Sequence, residues 1–226
     1  MSSEEVRAKV ARLLEEDGRT YAEEAGITLR DRPSPLYRLL VLALLCSTRI
    51  RADIATAAAR EISRAGLRTA PATAGADWQA IVDALGRAHY RRYDESTATA
   101  LINGAKLLLD RWHGDLRRLR AEAGGDPERI RTLLREVPRI GPVGADIFCR
   151  EAQGVWPELR PFFDERARTY AASYGLPDSS PALAELVPDA ELPRLAAALV
   201  RAGLEGRDRS KGESRTTDEG TEAATG

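Results

Sequence analysis

The chain has 226 residues, 34 of them basic and 35 acidic, for a net charge of -1 at pH 7 and a pI near 6.2, which excludes a polybasic, histone-like nucleic-acid binder while leaving room for a local basic face. Its two cysteines, Cys46 and Cys149, stand in neither CxxC nor metal-ligand spacing, which excludes a zinc site or a four-cysteine iron–sulfur cluster held by this chain alone. No secretory signal is read at the start and the apolar run from Leu36 to Cys46 is too short to span a bilayer, so a cytoplasmic protein is expected.

Apolar residues recur at helical spacing almost throughout. Val6, Val10, Leu13 and Leu14 predict a first amphipathic helix, with Glu4 and Glu5 at the end that favours acids. Asp31-Arg32-Pro33-Ser34-Pro35 breaks the chain, and Ser34 then Pro35 suit N-cap and first-turn positions. Leu36 to Leu45 is apolar nearly all round, the pattern of a central buried helix. Asp53 to Arg64 reads as a closely packed Ala-rich helix and Ala70 to Ala76 as a loop. Asp77 is expected to cap a short helix carrying Trp78, Ile81, Val82 and Leu85, and Asp94 a long one that stops near Gly114, where His113 serves as a cation at the helix end. Asp126 and Pro127 suit the N-cap and first position of a helix carrying Ile130, Leu133 and Leu134. Pro142 to Gln153, Asp164 to Tyr174 and Leu192 to Leu204 complete the helices. Glu205 to Gly226 is polar, has no apolar period, and is expected to be a disordered tail.

The stretch Val137-Pro138-Arg139-Ile140-Gly141-Pro142-Val143-Gly144-Ala145 joins two of these helices. Pro138 and Pro142 fix φ, and Gly141 permits a turn and a close backbone approach. The helix that follows begins with free N–H groups and a positive dipole end, which together suit one phosphate without reading base sequence. The same residues also suit a plain corner with no ligand. Asp164 stands 23 residues beyond Gly141, behind Gly154-Val155-Trp156-Pro157-Glu158-Leu159-Arg160-Pro161. A carboxylate there can stabilise a sugar cation or activate water as a glycosidic bond breaks. It equally suits a helix N-cap, and the two roles are compatible because a capping aspartate is held rigid. Arg91, Arg92 and Tyr93, ahead of a helix start, could contact a DNA backbone or stack on a base; ordinary surface residues fit the same pattern.

These stretches together resemble the helix-hairpin-helix DNA glycosylase superfamily, in its endonuclease III-like branch, from about Ser34 to Leu204. Ser34-Pro35-Leu36 with the apolar helix and Cys46-Ser47-Thr48 looks like the family's opening helix and DNA-facing turn. His89-Tyr90-Arg91-Arg92-Tyr93-Asp94 and Leu101 to Asp115 look like its middle helices, and Phe163-Asp164 like the segment holding its aspartate. The resemblance implies an all-α fold of two helical domains flanking a DNA-binding cleft. Residues 36–153 would form the domain ending in the hairpin motif, and 1–35 with 154–204 the second, packed through Leu183, Leu186, Leu195 and Leu199 without a cluster. It implies Asp164 as the catalytic carboxylate. Pro138, Arg139, Ile140, Gly141, Pro142, Val143 and Gly144 would bind DNA, with an alkali ion on hairpin carbonyls but no metal on side chains. Thr48 and Arg49 would fill the gap left by a flipped base, and Arg91 and Arg92 would hold backbone. The expected partner is double-stranded DNA, bound by a monomer near the nucleoid, with no membrane association and no cofactor.

Departures from the family pattern bear on the chemistry. In its lyase members a lysine follows the hairpin; here Val143 takes that place and cannot form a Schiff base. Arg139 replaces a usual glycine, Asp164 is followed by Glu165-Arg166 without the histidine often found there, and the cluster cysteines are missing. The function implied is a monofunctional glycosylase that hydrolyses the N-glycosidic bond of a damaged or mispaired base. Two alternatives stand beside it: a catalytically inactive protein that recognises damaged or bent DNA, and an abasic-site lyase using an atypical amine such as Lys106.

Overall fold

A computed structural model describes residues 2–204, and the tail expected over 205–226 lies outside the described residues. In chain order the helices are α1 Ser3–Asp17, α2 Tyr21–Glu24, α3 Pro33–Cys46, α4 Ala52–Arg64, α5 Ala70–Ala74, α6 Trp78–Arg87, α7 Asp94–Trp112, α8 Leu116–Glu122, α9 Pro127–Leu134, α10 Pro142–Ala152, α11 Glu165–Ser173, α12 Ser180–Ala184 and α13 over 192–204. No β-strand occurs among the described residues. The chain divides into two compact units, one over 20–162 and the other over 2–19 with 163–204.

The larger unit is organised round α3. Leu36, Leu39, Leu42 and Leu45 are fully buried, and Leu40, Val41, Ala43 and Leu44 nearly so, because the apolar residues run round the whole helix and neighbours must cover every side. Helices α4, α8 and α10 supply that cover, while α7 packs against α5, α6 and α8. Removing one such leucine side chain from water contributes about 1.5–3 kcal/mol.

Local signals fixed some helix ends and not others. Asp126 accepts the Glu128 N–H at 3.0 Å with Pro127 next in line, as the sequence predicts. Helix α3 starts at Pro33, ahead of the expected cap; the Ser34 hydroxyl instead donates to the Arg68 carbonyl at 3.0 Å. Tyr93, not Asp94, is the N-cap of α7, and Asp77 makes no capping bond. Ala70 to Ala74, expected as loop, forms a single turn because the Thr69 hydroxyl accepts the Ala72 N–H and α7 offers it an apolar surface.

The division between units runs at 19/20 and 162/163 rather than at 36 and 153, and polar ties explain it. The buried carboxylate of Glu151 accepts the N–H groups of Tyr21 at 3.4 Å and Ala22 at 2.9 Å. Burial pushes this carboxyl up, opposed by Arg150 and by the two amides. Arg60 donates to the Glu24 carbonyl at 2.6 Å, and Trp156 Nε1 to Asp31 at 3.0 Å. Arg120 pairs with both Asp31 and Glu158 and lies over the Trp156 ring. The Gln153 amide both donates to and accepts from the Phe162 backbone. Residues 20–35 and 154–162 are thereby bound to the larger unit.

In the smaller unit Val10 and Leu13 of α1 pack with Ala167, Ala171, Leu183, Leu192, Leu195 and Leu199, with Leu186 partly buried at the edge. Helix α1 carries no base in its last turn. Arg194 and Arg201 of α13 supply the missing donors, bonding the carbonyls of Leu14, Asp17, Gly18 and Arg19.

Glu151→Ala removes a buried carboxylate that stands 3.9 Å from the Arg150 guanidinium and accepts two amides. Denaturant unfolding should show a loss of about 3–5 kcal/mol, and a loss below about 1 kcal/mol would mean that residues 20–35 are held by other contacts.

Candidate nucleic-acid interface

Two apolar anchors, Val137 and Ile140, each 3% exposed, fix the hairpin between α9 and α10. Its outer side is set by α7: a Cβ built on Gly104 would come within 3.1 Å of the Val137 side chain, so this glycine lets α7 lie directly against the corner. The sequence assigned the turn to Gly141, but Gly141 is extended, with φ -88 and ψ -172, a conformation open to any residue. The reversal is made by Arg139, at φ +65. A left-handed conformation of this kind costs a residue with a side chain roughly 1–2 kcal/mol relative to glycine. What Gly141 contributes is bare surface, since a Cβ there would meet nothing within 4 Å.

Helix α10 opens with Gly141 as N-cap and Pro142 at the first position, and no side chain caps it. The first helical bond runs from the Ala145 N–H to the Gly141 carbonyl at 3.0 Å. The amides of Val143 and Gly144 thus lie in the first turn, where no carbonyl four residues back falls inside the helix. The positive end of the helix dipole adds to their pull on an anion. Val143 is 39% exposed and places an aliphatic group, not an amine, in that turn.

Two further segments meet the hairpin within the same unit. A Cβ on Gly144 would sit 3.5 Å from Ser47, which places the turn after α3 beside the start of α10. In that turn the Thr48 hydroxyl donates to the Leu45 carbonyl at 2.9 Å and lies 3.1 Å from the buried Tyr90 hydroxyl, so it is committed to structure; Arg49 is exposed. Tyr90 leads into Arg91, Arg92 and Tyr93. Arg91 and Arg92 are exposed, and the Arg92 guanidinium lies 5.3 Å over the Tyr93 ring. Arg139 reaches the same ring at 5.8 Å and donates to the Ser96 hydroxyl at 2.5 Å. The structure thus brings Thr48, Arg49, Arg92 and the hairpin residues to neighbouring segments of one unit. Ser96, Tyr90 and Gly104 take part unforeseen, because a serine in a first helical turn or a glycine within a helix carries no signal of its tertiary neighbour.

Asp164 belongs to the smaller unit. It is the N-cap of α11, its Oδ1 accepting the Ala167 N–H at 2.9 Å, and it is 8% exposed. The capping role read from the sequence is therefore realised, and Glu165 next to it is exposed. Among the described lysines, Lys9 donates to the Tyr174 carbonyl, and Lys106 lies exposed on α7. Lys106 is two residues past the hairpin-facing Gly104, which turns it about 200° away from the corner. Burial pushes the Cys46 thiol up to about 12 and the Cys149 thiol higher, which keeps both protonated at neutral pH. Among the described residues, no group of three or more His, Cys, Asp or Glu is placed to hold a metal, and no helix is long and apolar enough to cross a membrane.

Comparison with protein-family models and with curated protein sequences gives no match. Among solved structures, the chain is similar to a trapped endonuclease III–DNA covalent intermediate in an estranged-adenine complex, with a TM-score of 0.52 and 15% identity over 88% of this chain and 85% of that one. The likeness establishes an endonuclease III-type helical fold.

Asp164→Ala removes the α11 cap and should lower stability by at least about 1 kcal/mol, and Asp164→Asn, which keeps a capping oxygen, should lose less. Thermal or denaturant unfolding of the two variants checks this; equal losses would mean that the carboxylate charge, rather than the cap, holds α11.

Proposed function

We propose that this protein is a monofunctional DNA glycosylase, hydrolysing the N-glycosidic bond of a damaged or mispaired base in double-stranded DNA. The observation that carries the reading is the hairpin corner, where uncapped amides at the start of α10 adjoin a glycine with no side chain to keep a phosphate away. The fold supports it, since the similar endonuclease III structure is a covalent intermediate with DNA.

In this reading the hairpin holds one backbone phosphate and Asp164 supplies the carboxylate. As the bond between base and C1′ lengthens, the sugar becomes cationic, and a fixed negative charge lowers the energy of that state. The bond from Ala167 to Asp164 fixes the orientation of the carboxyl group without a cost at the moment of reaction. A water oxygen bonds to C1′, its proton passes to the carboxylate or to solvent, and the base leaves with the electron pair of the broken bond and takes up a proton. With Val143 in the first turn of α10, no amine there attacks C1′, and the product is an intact abasic site.

One observation favours a second reading, in which the protein binds damaged DNA without turnover: a carboxylate already employed as the α11 cap has a structural reason to be present. Among the described lysines a lyase reading finds no support, because Lys106 is turned from the corner and Lys9 is engaged in the smaller unit.

The purified protein, offered duplexes that each carry one lesion, should yield alkali-labile sites on at least one of them. Asp164→Asn should reduce that rate by about 100-fold or more while remaining folded. Equal turnover by Asp164→Asn would confine the residue to capping, and salt-sensitive binding without turnover would select the second reading. Borohydride reduction on abasic DNA should trap no protein; a trapped band would bring back the lyase.

A further inference from the structure

Several arginines elsewhere among the described residues are matched by acids. Arg51, Arg64, Arg87, Arg111, Arg117, Arg120, Arg131 and Arg194 each pair with a carboxylate. Arg92 and Arg139 are different. Both are exposed, both lie against the Tyr93 ring, at 5.3 and 5.8 Å from its centroid, and neither meets a carboxylate among the described residues. Asp94, next to Tyr93, accepts the N–H of Glu95 at 2.8 Å, and Glu136, the acid nearest Arg139 in sequence, pairs with Arg111. Two like charges gathered on one ring lie no more than about 11 Å apart, close to the Debye length at ordinary ionic strength, so each raises the energy of the other. An anion between them reverses that sign.

The backbone supplies a second, independent observation. Arg139 occupies a left-handed position, φ +65, where glycine would sit without strain. Its side chain is held in place by the Ser96 hydroxyl at 2.5 Å and by the ring, so little side-chain freedom remains to be lost when an anion arrives. Strain kept at a site whose side chain is ordered and lacks an acid points to a ligand.

We propose that Arg139 and Arg92, arrayed on Tyr93 and braced by Ser96, form a second phosphate seat for duplex DNA beside the backbone amides of the hairpin. The seat rests on the duplex-binding part of the function proposed above and is independent of whether Asp164 performs chemistry. Guanidinium groups suit it because their forked donors match two phosphate oxygens at once. Tyr93 presents its ring to the cations and limits where they can swing. The seat recognises backbone charge and contributes register and affinity, not base sequence.

The full chain is titrated, by fluorescence anisotropy, against a short labelled duplex carrying an abasic-site analogue, over a series of salt concentrations. Arg139→Gly should keep or raise the thermal midpoint while lowering affinity by roughly tenfold and the slope of log K against log salt by about one. Arg92→Ala should give a similar loss of slope. Arg139→Gln removes the charge and, being shorter, also the bond to Ser96, and should lose the same slope; a residue serving only to staple the hairpin to α7 would shift the midpoint and leave the slope alone. Wild-type affinity and slope in Arg139→Gly and Arg139→Gln would overturn the seat and leave the hairpin reading standing. No salt-dependent duplex binding by the wild-type chain would overturn both.

Discussion

Burial of α3 on all sides is the constraint on which the larger unit depends. A helix with a polar face can lie at a surface, but Leu36, Leu39, Leu42 and Leu45 point in different directions and each must be covered. Packing α4, α8 and α10 around it fixes where both ends of α3 emerge. Its C-terminal end delivers Ser47 to the side of Gly144. The turn after α3 and the hairpin corner, which share no local sequence signal, become neighbours because one apolar rod has to be wrapped.

Polar ties then decide where one unit stops. Arginine makes most of them, through a planar fork able to satisfy carbonyls and carboxylates at once. Arg120 joins Asp31 to Glu158, and Arg60 meets the end of α2. Glu151 performs the converse task, offering a buried carboxylate to two amides. In the smaller unit Arg194 and Arg201 complete the carbonyl end of α1. The contacts of Glu151, Arg194 and Arg201 join residues more than a hundred positions apart, and the net contribution of such ties depends on leaving no partner unpaired.

At the candidate interface, strain and bareness are assigned to different residues. Arg139 bears the left-handed turn and Gly141 leaves space open, although a Pro/Gly corner read as a sequence assigns both tasks to the glycine. Gly104 matters from outside the motif, since a Cβ there would come within 3.1 Å of the Val137 side chain and require it to shift. The carboxylate of Asp164 is held by a structural hydrogen bond, which makes its rigidity intelligible whether or not it also acts on a substrate.

Spacing and short-range bonds were enough to give the helical class, the buried α3, the Asp126–Pro127 helix start, the uncapped opening of α10 and the cap at Asp164, because each depends on residues only a few positions apart. The leucines packing the smaller unit were legible for the same reason. Long-range packing was needed to show that residues 20–35 and 154–162 belong with the larger unit, that Thr48 is bound to Tyr90, that residues 70–74 become helical against α7, and that Arg139 rather than Gly141 turns the chain. Those outcomes depend on groups far apart in sequence and on the space that neighbours leave, and neither quantity is carried by local pattern.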